Sequence, residues 1–140
     1  MSDQGRADGS SRASGLRKLP RPARVAVLFM AAGMVYGALV HLVAVVQWGA
    51  YSRAWAPSWL NMFWNSLIVL DLLPAALLLR GRRLGLYAAC LVMAADLASN
   101  LYAVYGVRSG DIGSAYDVQL LLLFGLFVFT ATPWLRRHTD

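Results

Sequence analysis

The sequence predicts an all-α protein, a four-transmembrane-helix antiparallel bundle with both termini cytoplasmic. Three observations carry that expectation. The 140-residue chain is 59% hydrophobic with a mean hydropathy of +0.53, far from soluble-domain norms. Its apolar residues fall into four runs, each long enough at about 1.5 Å rise per residue to cross a bilayer. Finally, eleven of the thirteen Lys and Arg flank the same ends of those runs.

Residues 1–24 are rich in Gly, Ser and Arg and lack a periodic apolar face, which predicts a disordered basic tail on the cytoplasmic side. Its cluster Arg17, Lys18, Arg21 and Arg24 abuts the membrane, within reach of anionic headgroups. The transmembrane domain is expected over residues 25–136, with residues 137–140 as a cytoplasmic C-terminal end. The first span, Val25 to Trp48, is too long for the apolar core of a signal peptide. It carries Gly33, Gly37 and His41 at successive four-residue steps, with Tyr36 beside them, and the two glycines read as helix-packing positions. The loop that follows holds Trp48, Tyr51, Trp55 and Trp59 around one basic residue, Arg53, and reads as an interfacial aromatic belt on the outer side.

The second span, Leu60 to Leu79, contains Asn61, Asn65, Ser66, Asp71 and Pro74. The link Arg80 to Arg83 is a tight hairpin with three positive charges and belongs inside. The third span, Leu84 to Gly106, carries Asp96 near its middle and Asn100 one turn later. The fourth, Asp117 to Trp134, is Leu and Phe rich with polar residues only near its ends, so it is expected to face lipid most.

The mid-span acids are the conspicuous feature. A central Asp costs roughly 2.5 to 3.5 kcal/mol on insertion scales, so it normally faces other helices or a water-filled cavity. Asp71, Asp96 and Tyr36 fall within about 3 Å of the midpoints of their spans, and His41, Asn65 and Asn100 about 6 to 8 Å toward the outer side. These six are the candidate pocket or proton-site residues. On the third span Asp96 and Asn100 lie about 40° apart and share a face, whereas on the second Asp71 lies about 20° from Trp64 and about 120° from Asn65. Either Asp71 or Asn65 therefore turns toward a helix seam. The plainer reading of Asn61, Asn65 and His41 is hydrogen bonding to a neighbouring helix. No Lys or Arg lies within a span, which leaves His41 as the candidate cationic partner of the acids.

Missing residues exclude several chemistries. One cysteine, Cys90, rules out an intramolecular disulfide, a CxxC redox pair and a thiolate metal cluster. A bundle holding two haems needs paired axial histidines, and only His41 lies in a span. No metal or cofactor is expected. Small multidrug transporters use a first-span Glu, and this chain has no Glu. The basic residues sit at span ends, which argues for membrane topology and against nucleic acid. With W-N-S-L-I-V-L-D at Trp64 to Asp71 and M-A-A-D-L-A-S-N at Met93 to Asn100, the chain resembles small bacterial four-helix integral membrane proteins. That resemblance implies an architecture and no activity. EXPERA-type bundles are similar only in placing acids within the membrane. The preference for Arg over Lys and for Ala, Leu and Gly points to a high-GC bacterial genome, hence to a bacterial cytoplasmic (inner or plasma) membrane.

Three functions follow from this pattern. The first is a binding or accessory protein with an outward-half polar pocket for a small amphiphile or partner. The second is a proton-coupled carrier using Asp96 or Asp71, expected as a homodimer because four helices leave a narrow path. The third is an enzyme acting on an isoprenoid or similar lipid, with an Asp as proton donor and His41 beside it. The bilayer itself is the one partner common to all three.

Overall fold

The computed structural model describes residues 14–110, 113 and 115–139. Expectations about residues 1–13 lie outside the described residues. Within them, every element is helical: α1 (Ser14–Arg17), α2 (Arg21–Trp48), α3 (Ser58–Leu79), α4 (Arg83–Tyr102) and α5 (Tyr116–Leu135). Helix α4 runs on without a break into a π-helical turn, Ala103–Val107. The α2, α3, α4-plus-π and α5 segments are each long and apolar enough to cross a membrane.

Helix starts follow local chemistry. Pro20 caps α2 and Pro22 lies in its first turn, where its missing N–H costs no hydrogen bond. Helix α2 therefore begins at Arg21, inside the segment expected to be tail, and the helical turn α1 precedes it. Leu16 and Leu19 pack on the main apolar cluster, which explains why this piece is ordered: it has core surface to cover. Helix α3 continues through a buried Pro74 and ends in a Schellman motif. Gly81 takes φ +71° and donates to Leu78 O at 2.8 Å while Arg82 donates to Leu77 O at 3.0 Å. The backbone of Gly15 rests directly on that turn, so α1 docks on the α3–α4 hairpin.

The helices form a ring in which α2 packs on α3, α3 on α4, α4 on α5, and α5 closes on α2. Phe124 of α5 fills the space left by Gly33 and stacks edge-on against Phe29. The core divides in two along the bundle. One cluster, with Val27, Met30, Met34, Leu78, Leu86 and Val128, occupies the end that bears the termini. A smaller one, Leu60, Trp64, Leu67 and Ala103, occupies the opposite end. Asp71 and Asp96 fall between the two. Helices α5 and α2 are the more exposed, for 28% of the most apolar window of each is buried against 33% in α3 and α4.

Candidate functional site

Asp71 and Asp96 are buried, at 5% and 7% exposure. Helical spacing explains both. Leu60, Trp64, Leu67, Asp71, Pro74 and Leu78 recur every three or four residues and form the inner stripe of α3, as Leu86, Ala89, Met93, Asp96, Ser99 and Ala103 do on α4 and its π turn. A carboxyl on such a stripe is carried inward whatever its polarity.

Around Asp96 the hydrogen bonds are local. Asn100 Nδ2 donates to Asp96 Oδ1 at 2.8 Å and to Asp96 O at 2.9 Å. Ser99 Oγ donates to Asp96 O at 2.8 Å and accepts the Trp64 indole N–H at 3.1 Å, tying α3 to α4 beside the acid. Asp71 lies within electrostatic reach of Asp96 and makes no hydrogen bond among the described residues. Its carboxyl rests on the bare backbone of Gly37 in α2.

Arg53 lies at the end of the bundle opposite the end that bears the termini. Its guanidinium lies over the Trp64 ring, 4.4 Å from the centroid, well inside cation–π range. Arg53 is also within electrostatic reach of Asp96, Asp117 and His41. Burial pushes the Arg53 guanidinium below its ordinary pKa, an effect that Asp117 and Asp96 partly offset. The loop that carries it is held by Asn61: Arg53 N–H donates to Asn61 Oδ1 at 3.1 Å and Asn61 Nδ2 donates to Arg53 O at 3.0 Å. A second layer covers the first, since Trp55 packs edge-on against Trp64 at 6.1 Å and Arg108 lies 5.1 Å over Trp55. Arg108 follows the π turn of α4, a distortion common near functional sites.

The six candidates thus divide. Asp71, Asp96 and Asn100 come together. Asn65 does not join them: its Nδ2 donates to Ala50 O at 2.7 Å and fastens the α2–α3 connection. Asp71, not Asn65, is therefore the inward residue of that pair. Tyr36 is 70% exposed and points out of the ring, which corrects its placement in the site. It matches the acids in depth but lies about 200° from the buried Met34, on the opposite face. His41 is half-buried and makes no hydrogen bond among the described residues, so no His–Asp pair forms. At Gly33 and Gly37 the space a Cβ would take is filled by the Phe124 and Asp71 side chains.

Arg53, Trp64 and Ser99 are the residues that sequence reasoning left out. Arg53 is the cation within electrostatic reach of Asp96, in the place given to His41, and its signal was its isolation as the one basic residue of an aromatic loop. Trp64 shares the Asp71 face, and Ser99 lies one turn beyond Asp96. Among the described residues no group of three or more His, Cys, Asp or Glu is placed to hold a metal ion. Chemically the site offers two carboxyls, an aromatic face, an amide and a hydroxyl under one tethered cation. Comparison with known proteins gives no match: no family model, no curated protein and no solved structure is similar to the chain.

Proposed function

We propose that this chain is a multi-pass protein of a bacterial cytoplasmic membrane, with both termini cytoplasmic, and that the outward half of its bundle binds a small amphiphile. The orientation rests on the positive-inside bias: Arg17, Lys18, Arg21, Arg24, Arg80, Arg82, Arg83, Arg136 and Arg137 lie at one end, and Arg53 and Arg108 at the other. The observation that carries the binding role is Asp71, a residue only 5% exposed that makes no hydrogen bond among the described residues, whose carboxyl oxygens are not sealed from the surface and which lies within electrostatic reach of Asp96. An intramembrane acid is a functional site by default. The headgroup would contact Arg53, Trp64 and Asp96, and the tail would follow the apolar helices.

The test is equilibrium binding of chain-matched neutral, zwitterionic, anionic and cationic amphiphiles to purified protein, read by tryptophan fluorescence. Saturable binding that is lost in Asp71→Asn or Asp96→Asn supports the reading, and no saturable binding by any of the four rejects it. A second reading, a proton-coupled carrier, draws on the mutual electrostatic reach of Asp71 and Asp96 at mid-span. It requires that Asp96→Asn abolish pH-driven uptake while folded protein stays abundant.

A further inference from the structure

We propose that Arg53 is a tethered cation seated where a ligand cation binds, so that the amphiphile carries a positively charged ammonium headgroup and displaces Arg53 from Trp64. The inference rests on the amphiphile-binding reading and adds the charge of the ligand and the way it enters.

The chemistry of the seat selects a cation. Trp64 is 2% exposed, and its indole N–H is already committed to Ser99 Oγ at 3.1 Å. What it has left to offer is a π face, whose quadrupole attracts positive charge, and that face holds the Arg53 guanidinium at 4.4 Å. The carboxyls point the same way. Asp96, within electrostatic reach of Arg53, has one oxygen bonded to Asn100, and its other oxygen makes no hydrogen bond among the described residues. Asp117 at the start of α5 is, with Asp96, one of two negative groups within reach of Arg53. An anionic headgroup would meet Asp96 and Asp117, and a neutral one would not replace the positive charge beside them once Arg53 moved. An ammonium group replaces the guanidinium like for like.

Arg53 is also built to leave. It stands in the loop between α2 and α3, and Asn61 grips its backbone at both N–H and C=O, so the loop keeps its shape when the side chain moves. The side chain itself makes no hydrogen bond among the described residues; a ring face holds it. Long side chains exchange rotamers without disturbing the backbone, and outward motion returns the guanidinium to water, where it is well solvated.

The experiment compares octyltrimethylammonium, octylphosphocholine and octylglucoside binding to wild type, Arg53→Gln and Arg53→Lys in maltoside micelles. Removing the competing cation should tighten octyltrimethylammonium about tenfold in Arg53→Gln, equivalent to about 1.4 kcal/mol and in the range of a partly desolvated cation–π contact. Arg53→Lys should bind as wild type, and octylglucoside should not respond. Tightening of octylphosphocholine as well would place the source of the headgroup in a phospholipid, and of octyltrimethylammonium alone in a free amine; either supports the proposal. Unchanged or weaker ammonium binding in Arg53→Gln overturns it. Saturable binding of the glucoside but not of the ammonium overturns it while leaving the amphiphile site standing, and no binding by any probe overturns both. A wild-type measurement guards against a variant that does not fold: saturating octyltrimethylammonium should speed phenylglyoxal modification of Arg53, followed by peptide mass spectrometry. Protection of Arg53 would count against displacement.

Discussion

The carboxyl of Asp71 is seated against the backbone of Gly37, so closely that a Cβ added to Gly37 would stand 2.7 Å from Asp71 Oδ2. This contact joins α2 to α3 at the level where the two apolar clusters meet, and it makes the glycine and the acid a single unit. Gly37→Ala should therefore destabilise the protein by about 1–3 kcal/mol, the usual range for overpacking. In an Asp71→Ala background the same change should cost little, giving a coupling of at least about 0.5 kcal/mol. Thermal unfolding of the four proteins in detergent measures it, and additive effects would deny the contact.

Trp64 supports three neighbours at once: Ser99 through its N–H, Arg53 through its face, and Trp55 against its edge. Trp64→Ala should cost about 3–5 kcal/mol, as large aromatic deletions do in cores. Ser99→Ala keeps the packing but leaves the buried indole N–H unpaired, for about 1–3 kcal/mol. If Ser99→Ala melts as the wild type does, the Trp64–Ser99 bond does not hold α3 to α4.

Asn61 carries the loop conformation that brings Arg53 over Trp64. Besides gripping Arg53 it donates to Ala56 O at 3.2 Å, so Asn61→Ala releases several loop groups together. Amide hydrogen exchange should quicken at Arg53 and Ala56, with the middle of α3 unaffected. Asn61→Asp keeps the acceptor for Arg53 N–H and loses the donors, so it should restore protection at Arg53 alone.

The orientation is open to direct chemical test because Cys90 is the one cysteine in the chain. In a Cys90→Ala background, Ala54→Cys should react with a membrane-impermeant maleimide in intact cells, and Arg82→Cys only after permeabilisation. Both positions are exposed in the structure, so a silent residue would report the membrane and not burial. The opposite pattern would reverse the proposed topology.

Interactions at the end that bears the termini give a further expectation. Arg83 donates through Nε and Nη2 to Thr139 O at 3.2 and 3.0 Å, binding the C-terminal segment to the α3–α4 hairpin. Arg83→Ala should raise exchange at the last turn of the chain while leaving global melting within about 0.5 kcal/mol of wild type, as for other changes outside a core. A large loss of stability would mean that this strap does more than hold the end.

Much of the fold was legible because hydropathy and length alone decide where a chain can cross lipid. Four apolar runs predicted four spanning helices, and the expected 25–48, 60–79, 84–106 and 117–134 became 21–48, 58–79, 83–107 and 116–135. The small extensions came from Pro20 and Pro22 at the start of α2 and from the π turn after α4, which hydropathy does not register. The site was legible in part. Spacing put Asp96 and Asn100 on one face, and the structure joins them at 2.8 Å. Depth by itself misled at Tyr36, because a residue at the right height can face away from the bundle axis.

The sequence by itself determined an all-helical chain of four candidate membrane spans, two of which carry an acid near the middle, since these follow from local hydropathy and from the helical period. Only the tertiary structure decided which azimuth of each helix faces inward, and hence that Asp71 enters the core while Asn65 turns to the α2–α3 loop. It also decided that Arg53 folds back over Trp64, a contact between a loop and a helix face that no periodicity encodes. The physical reason is the same in both cases. Rotational setting and loop return depend on what the other helices present, and the small Gly37, the buried amide of Asn61 and the face of Trp64 exert their effect only once α2, α3 and α4 are side by side.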